Sequence, residues 1–290
     1  FGVPFFGERL NVPKYIEKTR LSPEDAARRL RYNFFSKLKK DIEADKVATG
    51  HNRNDHEETV LMNILRGSGL DGLLGIDPVR DYYIRPLIEI PRQAIELYLD
   101  KEKIPFRTDS SNLTTDYFRN SLRLELIPTI EEKYCSHLGI SLRRLSEIAR
   151  QDLDYIEKET MKVFDETVKI QKGKLYINIC KFSNLHGALK MRLLRKAVER
   201  LCGDTQNFEY RHTKIMTQFI LNASVGSVID LPKGLFGEKR YEYFVLSKQA
   251  FEELSDYCYK LNIPGKVFIR ESETLISARL TGARSRVGSR

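Results

Sequence analysis

No two of the four cysteines, Cys135, Cys180, Cys202 and Cys258, stand at C-x-x-C spacing, so the sequence signals neither a zinc site nor an iron–sulfur cluster. Scattered thiols of this kind suit a reducing cytoplasm, the expected location. No apolar run is long enough for a transmembrane helix, so no membrane partner is expected. The chain opens on Phe1 with no charged-then-apolar leader, and it reads as a fragment whose true beginning is absent. Without a secretory signal, the glycosylation triplets Asn112-Leu113-Thr114 and Asn222-Ala223-Ser224 are taken as chance. No fixed-period repeat is evident either.

What is present is a basic, globular composition. With 49 Lys and Arg against 40 Asp and Glu, the formal charge of +9 favours a polyanionic partner, nucleic acid before membrane. Charge alone fits a merely basic soluble enzyme equally well. A length of 290 residues, 41% of them hydrophobic, can bury a full core and suggests two domains with additional material.

Helix-start grammar appears at Ser22-Pro23-Glu24-Asp25, with a Ser cap, Pro at the first helical position and acids in the first turn. That helix is expected to run to about Lys40, with Arg28 and Arg31 on one face beside Tyr32. A short strand at 46–49, a helix over 54–66, an extended piece at 82–84 and a helix over 91–101 follow. Thr108 to Asn112 reads as a polar loop, and a helix opens at Asp116. A long connecting helix covers about 142–168, and Ala188 to Leu201 is a basic amphipathic helix. Strands are expected at 175–179, 227–231 and 241–246, with a turn and another strand from Ile263-Pro264-Gly265. The last ten residues are expected to be disordered.

The junction Ala48-Thr49-Gly50-His51 through Asn54-Asp55 to Glu58-Thr59 carries the most chemistry. A strand ends and a helix begins there, and ligands of open α/β sheets bind at carboxyl strand ends. Asp55 and Glu58, three apart, share one face of that helix and suit a cationic amine. His51, Asp55 and His56 make a metal conceivable, yet the three or four ligands of a zinc site are not assembled. A helix cap at Asn54 or Asp55 with the rest solvated is the plainer alternative. Gly67-Ser68-Gly69-Leu70-Asp71-Gly72 formally matches the dinucleotide fingerprint, but it follows a helix where the fingerprint needs a strand; a helix stop and turn is expected. Arg28, Arg31, Arg66, Arg85, Arg119 and Arg123 would together hold a polyphosphate if they converged.

These residues resemble the bacterial tRNA(Ile)-lysidine synthetases. The resemblance rests on Leu21 to Arg28 leading to Arg31-Tyr32, on Ala48-Thr49-Gly50-His51, and on Asn54-Asp55 through Glu58-Thr59. It continues through Arg66-Gly67-Ser68-Gly69-Leu70-Asp71-Gly72-Leu73, Arg85-Pro86-Leu87, Asp109-Ser110-Ser111-Asn112 and Arg119-Asn120 to Arg123. The fold it implies is α/β: a Rossmann-like PP-loop parallel sheet of the adenine nucleotide alpha hydrolase type, followed by a mostly helical tRNA-binding domain. The implied domains are a catalytic one over 1–134, a connecting helix over 135–170, a tRNA-binding middle domain over 171–250 and the start of a C-terminal domain over 256–290.

The implied reaction is ATP-dependent ligation of free L-lysine to C2 of the wobble cytidine in the CAU-anticodon isoleucine tRNA, through an adenylated base. ATP and Mg2+ are the implied cofactors, tRNA(Ile) and lysine the partners, and a homodimer is compatible with the sequence. By the resemblance, Asp55 and Glu58 hold the lysine amine, Arg31 and Arg123 are catalytic, and Gly50, His51 and Arg119 line the nucleotide pocket. Arg66, Lys190, Arg192 and Arg195 are the implied tRNA contacts. The family's Ser-Gly-Gly-x-Asp-Ser phosphate loop is not found in the sequence; it would precede Phe1, and these residues alone are expected to be inactive. The rival readings are a PP-loop tRNA thiolase, which would place paired cysteines at its site, and a non-catalytic tRNA-binding homologue.

Overall fold

The computed structural model describes residues 2–107, 118–251, 258–269 and 274–280. The Asp109–Asn112 motif, the first residues of the helix expected from Asp116, and the last ten residues lie outside them. The chain divides into two compact units, 1–156 and 157–290.

The first unit opens with α1 (Val12–Thr19), which the sequence reading did not anticipate, and α2 (Pro23–Asp41). Ser22 caps α2 through its hydroxyl, which accepts the Asp25 N–H at 3.1 Å, as its start grammar requires. There follow β1 (Val47–Ala48), α3 (Arg53–Leu65), the single turn α4 (Leu70–Leu73), β2 (Val79–Arg80), β3 (Tyr83–Ile84) and α5 (Arg92–Lys101). The sheet order is β1-β3-β2, with β1 and β3 parallel and β2 antiparallel to β3. The expected parallel sheet is thus represented among the described residues by one parallel pair.

α6 (Phe118–Ser121) runs into a π-helical turn (Leu122–Leu126) and α7 (Ile127–Lys133). The Ile127 N–H donates five residues back to the Leu122 carbonyl. Pro128, next in line, has no N–H to continue a regular ladder, so the wider turn sits where the helix must adjust. The long α8 (Leu138–Thr167) follows, and the division between units falls within it. Val60 and Leu61 of α3 pack with Leu142 of α8 in the first unit's core.

The second unit contains β4 (Val168–Gln171), β5 (Lys174–Asn178), α9 (Ile179–Asn184), α10 (Gly187–Cys202), α11 (Tyr210–Asn222), β6 (Val228–Leu231), β7 (Leu235–Lys239) and β8 (Tyr243–Ser247). The five strands form one antiparallel sheet in the order β4-β5-β8-β7-β6. This corrects the expectation of a mostly helical region: strands and helices share the core. The alternation seen in Leu175 and Ile177 puts one sheet face against Leu193, Leu194, Ala197 and Val198 of α10 and Met216 and Ile220 of α11. β4, β7 and α11 escaped the sequence reading; β4 because its residues continue the pattern of α8. A separate hairpin, β9 (Gly265–Ile269) and β10 (Thr274–Ala278), follows the Ile263-Pro264-Gly265 turn.

Gly237 in β7 is fixed by crowding, since a Cβ there would lie within 2.9 Å of both the Phe244 ring and Ile229. Gly237→Ala is therefore expected to cost about 1–3 kcal/mol by overpacking, read from the denaturant midpoint; a neutral substitution would show that Phe244 moves aside freely.

A candidate nucleotide and amine site at the end of the first strand

The site forms where β1 gives way to α3. Asn52 is the N-cap of α3: its side chain accepts the Asp55 N–H at 3.2 Å, and the Asn52 N–H donates to Asp55 Oδ2 at 2.9 Å. The expected cap at Asn54 or Asp55 is thus corrected to Asn52, with Asp55 as its reciprocal partner. One oxygen of Asp55 is committed to the cap, and Oδ1 is the one left to face other charges. Asn54 instead accepts the N–H of Arg92, tying α5 to this helix start.

Glu58, one turn further, is only 2% exposed. A carboxylate so buried needs charged partners, and two arginines supply them. Arg119 Nε donates to Glu58 Oε2 at 2.9 Å, and Arg123 Nε donates to Oε1 at 2.6 Å. Arg123 Nη2 also donates to Oε2 at 2.9 Å, completing a bidentate fork. Asp55 Oδ1 receives longer contacts, 3.2 Å from Arg119 Nη2 and 3.5 Å from Arg123 Nη2. The Glu58 hydrogen bond is the main cause holding the Arg123 pKa above its ordinary value.

In front of this cluster opens a cleft of about 510 Å³, lined by Glu24, Arg28, Arg31, Tyr32 and Phe35 of α2, by residues 48–51, and by Asp55 and Arg119. Positions 24, 28, 31 and 35 fall on one face of a helix, which brings Arg28 and Arg31 to the cleft together. Arg28 also lies 5.5 Å over the Tyr32 ring. His51 Nδ1 is 2.8 Å from the Thr49 hydroxyl. Burial lowers its pKa, Asp55 opposes this, and Arg85, Arg119 and Arg28 reinforce it, so a neutral imidazole faces the cleft at pH 7.

The sequence-predicted residues therefore separate. Arg31, Gly50, His51, Asp55 and Arg119 meet at the cleft. Arg123 and Glu58 stand behind it, on a smaller cavity of about 100 Å³ shared with Glu57 and Glu131. Arg66 caps the far end of α3, with its guanidinium 5.8 Å over the Phe118 ring. In the second unit, Lys190 Nζ donates to the Ser183 carbonyl at 2.8 Å and Arg195 Nη1 to that of Phe208 at 3.3 Å, while Arg192 is half-buried. Glu24, Tyr32, Phe35 and Thr49 were missed, although the 24-28-31-35 spacing carried the signal for the first and third. The glycine-rich run after α3 behaves as a stop: Gly67 takes φ +71° beyond the Arg66 cap.

His56 points away from the cleft and fastens the loop after α4. The Ile76 N–H donates to its Nδ1 at 3.1 Å, and Gly75 at φ +62° leaves room for the ring. Among the described residues, no cluster of three or more His, Cys, Asp or Glu is placed to hold a metal, and no helix is long and apolar enough to cross a membrane.

Residues 2–130 match the PP-loop domain family, whose fold is of Rossmann-like α/β type. The chain is a homologue of proteins named tRNA(Ile)-lysidine synthase. It is 39% identical to the one from Clostridioides difficile over 94% of this chain and 59% of that protein. Identity is 38% to that of Caldanaerobacter subterraneus, covering 91% of this chain and 56% of the relative, and 31% to that of Dehalococcoides mccartyi, covering 92% and 59%. The chain thus spans about three fifths of the length of these curated relatives.

Two measurements test the geometry. Glu58→Ala should cost about 3–5 kcal/mol by leaving two guanidinium groups with only their longer contacts to Asp55. A double-mutant cycle with Arg123→Ala should show coupling of about 0.5–3 kcal/mol, and strict additivity would remove the buried fork.

A further measurement is of pH. Burial is the largest cause lowering the His51 and His56 pKa values from 6.5, so the unfolded chain takes up protons that the folded state refuses. Their stabilisation is complete above about pH 6.5 and is lost as pH falls. Glu57, raised from 4.5 chiefly by burial, acts oppositely, and its favourable contribution fades as pH rises through its folded pKa. His56→Gln should therefore flatten the fall in urea midpoint between about pH 7 and about pH 5.5, and an unchanged slope would contradict this.

Proposed function

We propose that the protein is a tRNA(Ile)-lysidine synthase, joining free L-lysine to C2 of the wobble cytidine of the CAU-anticodon isoleucine tRNA, which shifts codon reading from AUG to AUA. The observation that carries this reading is the convergence of Arg28, Arg31 and Arg119 with neutral His51 and Asp55 in one cleft of a PP-loop domain. Kinship with proteins of that name supports it.

In this reading ATP transfers its adenylyl group to the C2 oxygen and pyrophosphate leaves. The lysine side-chain amine then attacks C2, the oxygen departs with AMP, and the amine gives up a proton. The cleft volume suits a nucleotide-sized ligand. Arg28, Arg31 and Arg119 would hold phosphate oxygens and stabilise charge on the activated base. Gly50 and His51 form the strand-end wall. Asp55 supplies the carboxylate facing the amine, while Glu58, braced by Arg123, anchors Arg119 behind it. Lacking a protein cage among the described residues, Mg2+ would ride chiefly on phosphate oxygens and water.

The same reading assigns tRNA contact to Arg66, Lys190, Arg192 and Arg195 within a middle domain over 171–250, and sets the work in the cytoplasm. Homodimer formation is compatible with it.

The test is a lysine-incorporation assay on the full-length protein with isoleucine and methionine tRNAs that share the CAU anticodon. Lysine should enter the isoleucine tRNA alone, with ATP consumed; no incorporation would overturn the reading. Asp55→Ala should raise the KM for lysine by about tenfold or more, the worth of one charged hydrogen bond, with far less effect on the KM for ATP.

A further inference from the structure

The cleft holds three arginines against the carboxylates of Glu24 and Asp55. Behind it, Glu58 and Arg123 offset each other. An ammonium ion entering alone therefore meets a surplus of positive charge. Asp55 Oδ2 is occupied by the helix cap, so only Oδ1 is available to an amine, and Oδ1 already receives Arg119 at 3.2 Å and, more loosely, Arg123 at 3.5 Å. A further cation cannot join them on that oxygen without mutual repulsion.

Arg119 is held unequally by its two carboxylates. Its bond to buried Glu58 is 2.9 Å, whereas its Nη2 reaches the more exposed Asp55, on the cleft wall, at 3.2 Å both to Oδ1 and to the backbone carbonyl. Its Nη1 makes no hydrogen bond to any described residue, while Nε and Nη2 are engaged. The guanidinium can thus keep Glu58 as an anchor and turn its outer edge toward an anion held by Arg28 and Arg31.

Resting on the lysine-ligase reading, we propose that Arg119 is a positioning residue that couples the two halves of the site by exchanging ion-pair partners. A polyphosphate draws Arg119 off Asp55, and Asp55 Oδ1 then accepts the lysine ammonium. Amine affinity is thereby low in the empty cleft and rises once the anion is in place. By linkage, lysine tightens the polyphosphate by the same factor.

Calorimetry on the full-length protein, with inorganic triphosphate as the anion and L-lysine as the amine, tests this. Saturating triphosphate should lower the lysine Kd by about fivefold or more, and lysine should lower the triphosphate Kd equally. Arg119→Gln should bind lysine with the same affinity whether or not triphosphate is present. Arg119→Lys, which keeps the charge, should restore part of the coupling and guards against a misfolded Gln variant.

A coupling factor of one in the unaltered protein would overturn the proposal. So would coupling that persists undiminished in Arg119→Gln, which would mean simple attraction between bound anion and amine. If lysine is incorporated into tRNA without coupling, the exchange falls and the ligase reading stands. If lysine neither binds beside triphosphate nor is incorporated, both fall.

Discussion

Glu58 puts a negative charge where water barely reaches, and the first unit is arranged around satisfying it. The residue sits one turn inside α3, whose start is fixed by the reciprocal cap between Asn52 and Asp55. Both oxygens of Glu58 are filled by guanidinium groups from Arg119 and Arg123, four residues apart on the α6 and π-helical segment. Such a network is specific before it is strong, because desolvation offsets much of the Coulomb gain and only matched geometry recovers it. The result ties a segment far along the chain to the end of β1 and sets Arg119 on the edge of the cleft.

The cleft inherits its chemistry from this arrangement. Charges behind the wall nearly cancel, whereas those on the wall favour an anion. A neutral His51 adds polarity without adding charge. Asp55, committed on one oxygen to the helix cap, offers the other to whichever cation the state of the site allows. An anion site and a cation site thus occupy adjoining surfaces, as a reaction joining a nucleotide-activated base to an amine would need.

Much of this was readable from residue order. The Ser22-Pro23 start, the strand-to-helix junction and the i, i+3 placement of Asp55 and Glu58 are local consequences of capping and helical period, and they fall where expected. The stop after Arg66 was likewise carried by glycine. The basic helix α10 adds something its lysine and arginine spacing did not carry: Lys190 and Arg195 also donate hydrogen bonds to nearby carbonyls. Composition reports charge; it does not report which backbone groups that charge will meet. β7 was hidden for a related reason, since its alternation becomes visible only against its partner strands.

The sequence alone determined the helices and the strand end that frame the site, the family resemblance and the set of charged residues there, because capping, periodicity and motif order act over a few positions. Only the tertiary structure decided which charge faces the cleft and which is spent behind it. Asp55 and Glu58 look equivalent on a helical wheel, yet one is a cleft wall and the other a buried anchor. Their difference arises from Arg119 and Arg123, more than sixty residues away in the chain, and burial of a charge is settled only by the groups that fold brings around it.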